Sequence, residues 1–106
     1  MSPLRGVAKG NQFAGRVAAY LGTERRVLNG NRDQGDLVLR SWVAEVKCPG
    51  RGQPLNLSAA MTEAKTEAGH AGVDRWCVIA RRTGYPVDEA LVVIPLWMAR
   101  ELGIPE

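Results

Sequence analysis

The sequence predicts a single domain of the α/β or α+β class, with helices covering a mixed sheet. Two observations carry this. The chain has 106 residues, 45% hydrophobic and 24% charged, which suits one globular domain over residues 1–106 with a modest core. Segments with helical period also alternate with short β-branched and aromatic runs. The order is helix, three strands, helix, strand, strand, helix, and such an order buries helices against a sheet.

Each element has its own signal. From Lys9 to Leu21, apolar residues fall at Phe13, Val17, Tyr20 and Leu21, one face of a helix that Gly22 stops. Arg25 to Leu28 reads as a first short strand ending at the turn Asn29-Gly30. Residues 29–35 form a loop rich in Asn, Gly, Asp and Arg. Asp36 to Arg40 and Trp42 to Lys47 read as a hairpin about Ser41. Pro49 to Pro54 is a breaker cluster. Asn56 or Ser58 can cap a second helix with the apolar face Leu57, Met61, Ala64 and Ala68. Its other residues, Thr62, Glu63, Lys65, Thr66 and Glu67, read as solvated surface, and Gly69 or Gly72 ends it. Arg75 to Arg81 is a strand, Ala90 to Leu96 a further strand or strand end, and Trp97 to Leu102 a short helix stopped at Gly103. Trp42, Trp76 and Trp97 read as core or sheet-face residues, because Trp is highly buried on average.

Composition excludes several chemistries. No apolar run approaches the ~20 residues of a membrane-spanning helix. Met1 to Gly6 lacks the apolar stretch of a signal peptide, so the expected location is cytoplasmic. Cys48 and Cys77 make neither a disulfide framework nor a metal quartet, and both are expected reduced. With His70 as the single histidine, zinc and a Ser-His or Cys-His triad have little to work with. His70 reads as a loop or helix-end residue.

The chemistry concentrates in two adjoining predicted strands. Asp36 opens the first, and Glu45-Val46-Lys47 closes the second. Side chains alternate along a strand, so Glu45 and Lys47 share a face about 7 Å apart, and Val46 faces a core. If the strands pair antiparallel, Asp36 comes near Glu45. Two carboxylates of this kind suit Mg²⁺, which is held by one or two carboxylates with waters and substrate phosphate. Lys47 then supplies a point charge or a proton-transfer group. An edge strand guarded by a solvated Glu and Lys gives the same residues. The adjoining strands favour the site, since a motif is judged by its context.

Charge points the same way. Residues 1–52 carry nine Lys or Arg against four Asp or Glu, a net +5, while residues 53–106 carry five against seven, a net −2. A basic surface around an acidic metal site suits a polyanionic substrate. Solubility alone is also compatible with a net charge of +3. Lys9, Arg16, Arg25, Arg26, Arg32 and Arg51 are the candidate nucleic-acid contacts.

In their order these features resemble the PD-(D/E)XK nuclease superfamily. The shared core is restriction-endonuclease-like: helix, three-strand meander with the acids, helix, strand. Within it the chain is most similar to the small Holliday junction resolvases of archaea and of actinobacterial phages. Lys9-Gly10, Phe13, Arg26, Asn29-Gly30 and Gly35-Asp36 carry the resemblance. So do Glu45-Val46-Lys47 and the segment Glu63-Ala64…Glu67-Ala68…Ala71-Gly72. The resemblance implies that Asp36, Glu45 and the Val46 carbonyl bind Mg²⁺ or Mn²⁺ and that Lys47 orients or activates the attacking water. It implies an endodeoxyribonuclease that resolves four-way DNA junctions in recombination, as a homodimer with two active sites, and a phage-type source. The chain departs from the pattern at Gly35, where proline is common. At Ala14 and Gly15 the resolvases carry a helix glutamate, which leaves Glu24 or Gln12 as substitutes here. Two other readings stand beside it: another nuclease of the superfamily (nicking, restriction-like or repair), and a DNA-structure-binding protein with weakened catalysis.

Overall fold

A computed structural model describes residues 5–23, 36–38, 41–50 and 52–105, with the backbone alone at 5–11 and 36–38. Among the described residues, three α-helices and a four-stranded mixed sheet make an α+β domain. The elements are α1 (Arg5–Leu21), β1 (Asp36–Val38), β2 (Trp42–Lys47), α2 (Leu57–Ala71), β3 (Arg75–Ala80), β4 (Leu91–Val93) and α3 (Leu96–Leu102). The sheet order is β1-β2-β3-β4. β1 runs antiparallel to β2, β2 parallel to β3, and β3 antiparallel to β4. No helix among the described residues is long and apolar enough to cross a membrane.

The two faces of β2 divide the core. Ala44 and Val46, with Cys77 and Ile79 of β3, pack against Phe13, Ala14, Val17 and Ala18 of α1. Val78 on the other face packs against Ala60 and Ala64 of α2. Val46 is buried on the α1 side, as alternation predicts, so Glu45 and Lys47 belong to the α2 side.

Several expectations shift. α1 starts at Arg5 and not at Lys9, running through Gly6 and Gly10. A glycine inside a helix costs only about 1 kcal/mol, which neighbouring turns can absorb. The buried stripe of α1 is Phe13, Ala14, Val17 and Ala18, while Tyr20 and Leu21 stand exposed. On α2 it is Ala60, Ala64, Glu67 and Ala68, with Leu57 exposed. Both stripes turn towards alanine because a side chain of one methyl lets a helix approach a sheet closely. Trp42 and Trp76 are partly buried as expected, but Trp97 is half-exposed, its ring edge-on to Trp76 at 5.8 Å. β4 is shorter than the strand expected over Ala90–Leu96, because Pro95 ends it and α3 begins at Leu96. The expected strand over Arg25–Leu28 lies outside the described residues, as do Leu39 and Arg40.

Capping sets the position of α2. The Asn56 side chain accepts from the Ala59 N–H at 3.1 Å, at the predicted start. At the other end Gly72 takes φ +72°, a left-handed turn that glycine adopts without a Cβ clash. His70 sits in the last turn, where a basic side chain complements the helix dipole.

Candidate active site

The strand pairing joins the two predicted acids. Asp36 stands directly opposite Glu45 in the antiparallel register. Directly opposed positions in such a pair share one face of the sheet. Glu45 and Lys47 share that face by alternation. Val46 between them belongs to the α1 core, and its carbonyl is the group implicated by the resemblance.

Glu45 is 3% exposed, so its carboxylate lies nearly out of water. A buried charge needs compensation. Lys47 Nζ provides it at 3.2 Å from Glu45 Oε1. The same ammonium donates a 3.0 Å hydrogen bond to Glu63 Oε2 of α2. Burial pushes the Lys47 pKa down, but the Glu63 hydrogen bond and the Glu45 charge outweigh it, and the pKa lies above its ordinary value. At neutral pH Lys47 is therefore an ammonium. Of the two roles left open for it, point charge and proton acceptor, the geometry favours the first.

Two acids on α2 escaped the sequence reading. By spacing, Glu63 and Glu67 both read as solvated surface. Glu63 is exposed, as read, yet its carboxylate meets Lys47, whereas Glu67 is only 8% exposed, with its Oε1 3.9 Å from His70 Nδ1. The signal for them was their spacing. Each acid immediately precedes a buried alanine, Ala64 or Ala68, so both lie at the margin of the inward stripe. α1 contributes differently. Ala14, where the resemblance would place an acid, is fully buried in the α1 core, and Gly15 is exposed. Gln12 is exposed on α1, and Glu24 lies outside the described residues.

A cleft of about 240 Å³ opens beside this cluster, lined by Lys47, Cys48, Pro49, Gln53, Asn56 and Glu63 among others. It lies at the carboxyl end of β2. That is the end of open α/β sheets where ligands collect. Pro49, Gln53 and Pro54 line it, and Gln53 N–H donates a 2.9 Å backbone bond to Gly50 C=O.

Among the described residues no three His, Cys, Asp or Glu side chains are grouped to hold a metal ion. Mg²⁺ asks for less: one or two carboxylates, with water and phosphate completing its shell. A buried carboxylate beside Lys47, which lines the cleft, with Asp36 opposite it in register, fits that demand. Of the predicted nucleic-acid contacts, Arg16 is exposed on α1, across the sheet from Lys47. The Lys9 side chain, Arg25, Arg26, Arg32 and Arg51 lie outside the described residues. The cysteines are free, and burial pushes the Cys77 thiol up to about 12. No protein-family model, curated protein or solved structure matches this chain.

Proposed function

We propose that the chain is a metal-dependent DNA endonuclease that hydrolyses phosphodiester bonds, acting on branched DNA as a junction resolvase in homodimeric form. The observation that supports it most is the register of Asp36 against Glu45, with Lys47 on the same face and ion-paired to Glu45 at 3.2 Å. The restriction-endonuclease-like core is part of the proposal, and the helix–sheet–helix layering supports it.

Asp36 and Glu45 would hold Mg²⁺ or Mn²⁺, with the Val46 carbonyl beside them. The metal would supply Lewis acidity and ease ionisation of water. Lys47 contributes a compact cation that offsets charge building on the phosphoryl oxygens. Glu63 holds that cation in place, since its hydrogen bond restricts a flexible four-carbon stem. The cleft beside Lys47 gives the nucleic-acid backbone a seat within reach of the ammonium. Two symmetric cuts require two such sites, hence two chains.

A second reading is a DNA-structure-binding protein of weakened catalysis. It is favoured by Ala14, buried where an acid would complete the set. One experiment separates the two. Purified protein is incubated with Mg²⁺ and either four-way junctions or linear duplexes, beside Asp36→Ala and Glu45→Gln. Metal-dependent cutting of the junction, lost in both variants, supports the nuclease. Binding without cutting supports the second reading, and neither activity sinks both.

A further inference from the structure

The cleft is not the only feature at the carboxyl end of the parallel pair. Just past the end of β3 at Ala80, the Arg81 N–H donates to the Lys47 carbonyl at 3.0 Å. The chain then turns sharply. Tyr85 N–H donates to Arg82 C=O at 3.0 Å, closing a four-residue turn with Gly84 at φ +84°. Positive φ at the third residue is what a type II turn demands, and glycine supplies it without strain. The turn folds Tyr85 back under Arg82, whose guanidinium carbon lies 3.7 Å from the ring centroid. Arg81 is held too, its Nη1 donating to Cys48 Sγ at 3.6 Å.

Both arginines are held in place by neutral partners. Both are half-buried, and among the described residues neither forms an ion pair with a carboxylate. Charged side chains that lose water normally find an opposite charge. Stacking on an aromatic face fixes a guanidinium plane while leaving its N–H edges to donate, which is how arginine recognises phosphate in two-toothed fashion. Lys47 pairs with Ala80, so Arg82 lies two residues past the Lys47 partner, about 7 Å along an extended chain. A nucleic-acid strand with one phosphate at Lys47 would have its next phosphate within reach of this turn.

We propose that the Arg81–Tyr85 turn is a phosphate-binding anchor for the DNA backbone, with Arg82 gripping a phosphodiester next to the one at Lys47 and Tyr85 holding the guanidinium in position. The proposal rests on the nuclease reading. It assigns DNA contact to a segment outside the basic half of the chain.

The test measures binding to a four-way DNA junction by fluorescence anisotropy across a salt series, in EDTA so that nothing is cut. Cleavage in Mg²⁺ is measured in parallel, and circular dichroism checks each variant for the native fold. Arg82→Gln is expected to weaken binding about tenfold near 0.1 M salt and to flatten the slope of log affinity against log salt by about 1. Arg82→Lys, the milder change, keeps the charge and hence most of the slope. Tyr85→Leu is expected to cost about two- to fivefold in affinity with the slope unchanged, because it removes only the ring face. If wild type binds and cuts junctions but Arg82→Gln keeps the wild-type slope and affinity, the anchor is wrong and the nuclease reading stands. If wild type neither binds nor cuts, both fall.

Discussion

Glu45 and Lys47 are bound to each other by burial as much as by chemistry. A carboxylate 3% exposed needs its neighbour, and the neighbour is the residue proposed to act on phosphate. Lys47→Met should therefore do two things. Single-turnover cleavage at saturating protein should slow by about 10²–10³-fold, as for other preorganised electrostatic groups. Junction affinity should fall far less, because one contact among many carries little of the binding. A variant within about threefold of wild-type rate would leave Lys47 a structural partner only. The pH dependence has a definite sign. The folded pKa of Lys47 is raised, so its contribution to stability is complete below the unfolded value, about 10.4, and is lost as pH rises through the folded value. The stability gap between wild type and Lys47→Met in urea should be flat between about pH 6 and 9 and shrink above about 10.4. A gap that closes at neutral pH would mean that the ammonium is not held as described.

At the scale of elements, α2 does the arranging. Its inward stripe of Ala60, Ala64 and Ala68 lets the helix settle on the sheet, which delivers Glu63 to Lys47. Ala64 has no exposed surface, so Ala64→Leu must push helix and sheet apart. It should cost about 1–3 kcal/mol in chemical denaturation. It should also slow cleavage, by lengthening the Glu63–Lys47 contact, more than the exposed-face change Thr66→Ala. Equal cleavage rates would show that Glu63 plays no part in holding Lys47. The two thiols sit in different surroundings. Cys77 is buried with its pKa near 12, whereas Cys48 lines the cleft. A disulfide reagent should label one cysteine per native chain, at Cys48, and the adduct should block cleavage by filling the cleft. Rapid labelling of both in the native protein would contradict the burial of Cys77.

Across the whole molecule, charge and stoichiometry set the expectations. Residues 1–52, which include the predicted acid pair, carry a net +5, while residues 53–106 carry −2. Neutralising Arg25 and Arg26 together should flatten the salt slope of DNA binding by about 2, and Arg100→Gln on α3 should not change it. If one chain supplies one active site, mixing wild type with excess Glu45→Gln should yield junctions nicked in one strand where wild type alone cuts two. Paired cuts persisting in the mixture would refute the two-chain arrangement.

The sequence by itself determined the central elements β2 and α2 and the pairing of the acids. β2 was legible from Trp42 to Lys47, and α2 from its Asn56 cap to its glycine stop, because strand alternation and helix capping are local rules. Asp36 against Glu45 followed from two short strands joined by a tight connection, which leaves little freedom of register. What only the tertiary structure decided was which face each helix buries and what crosses from one element to another. Ala64, Ala68 and Met61 of the inward face of α2 were legible, but Ala60 in place of Leu57, the burial of Glu67 and the Glu63–Lys47 contact became visible only where the helix met the sheet. The Arg81 bond to Lys47 was hidden for the same reason. It spans two strands joined through a helix, and no spacing along the chain records the parallel pairing that brings them together.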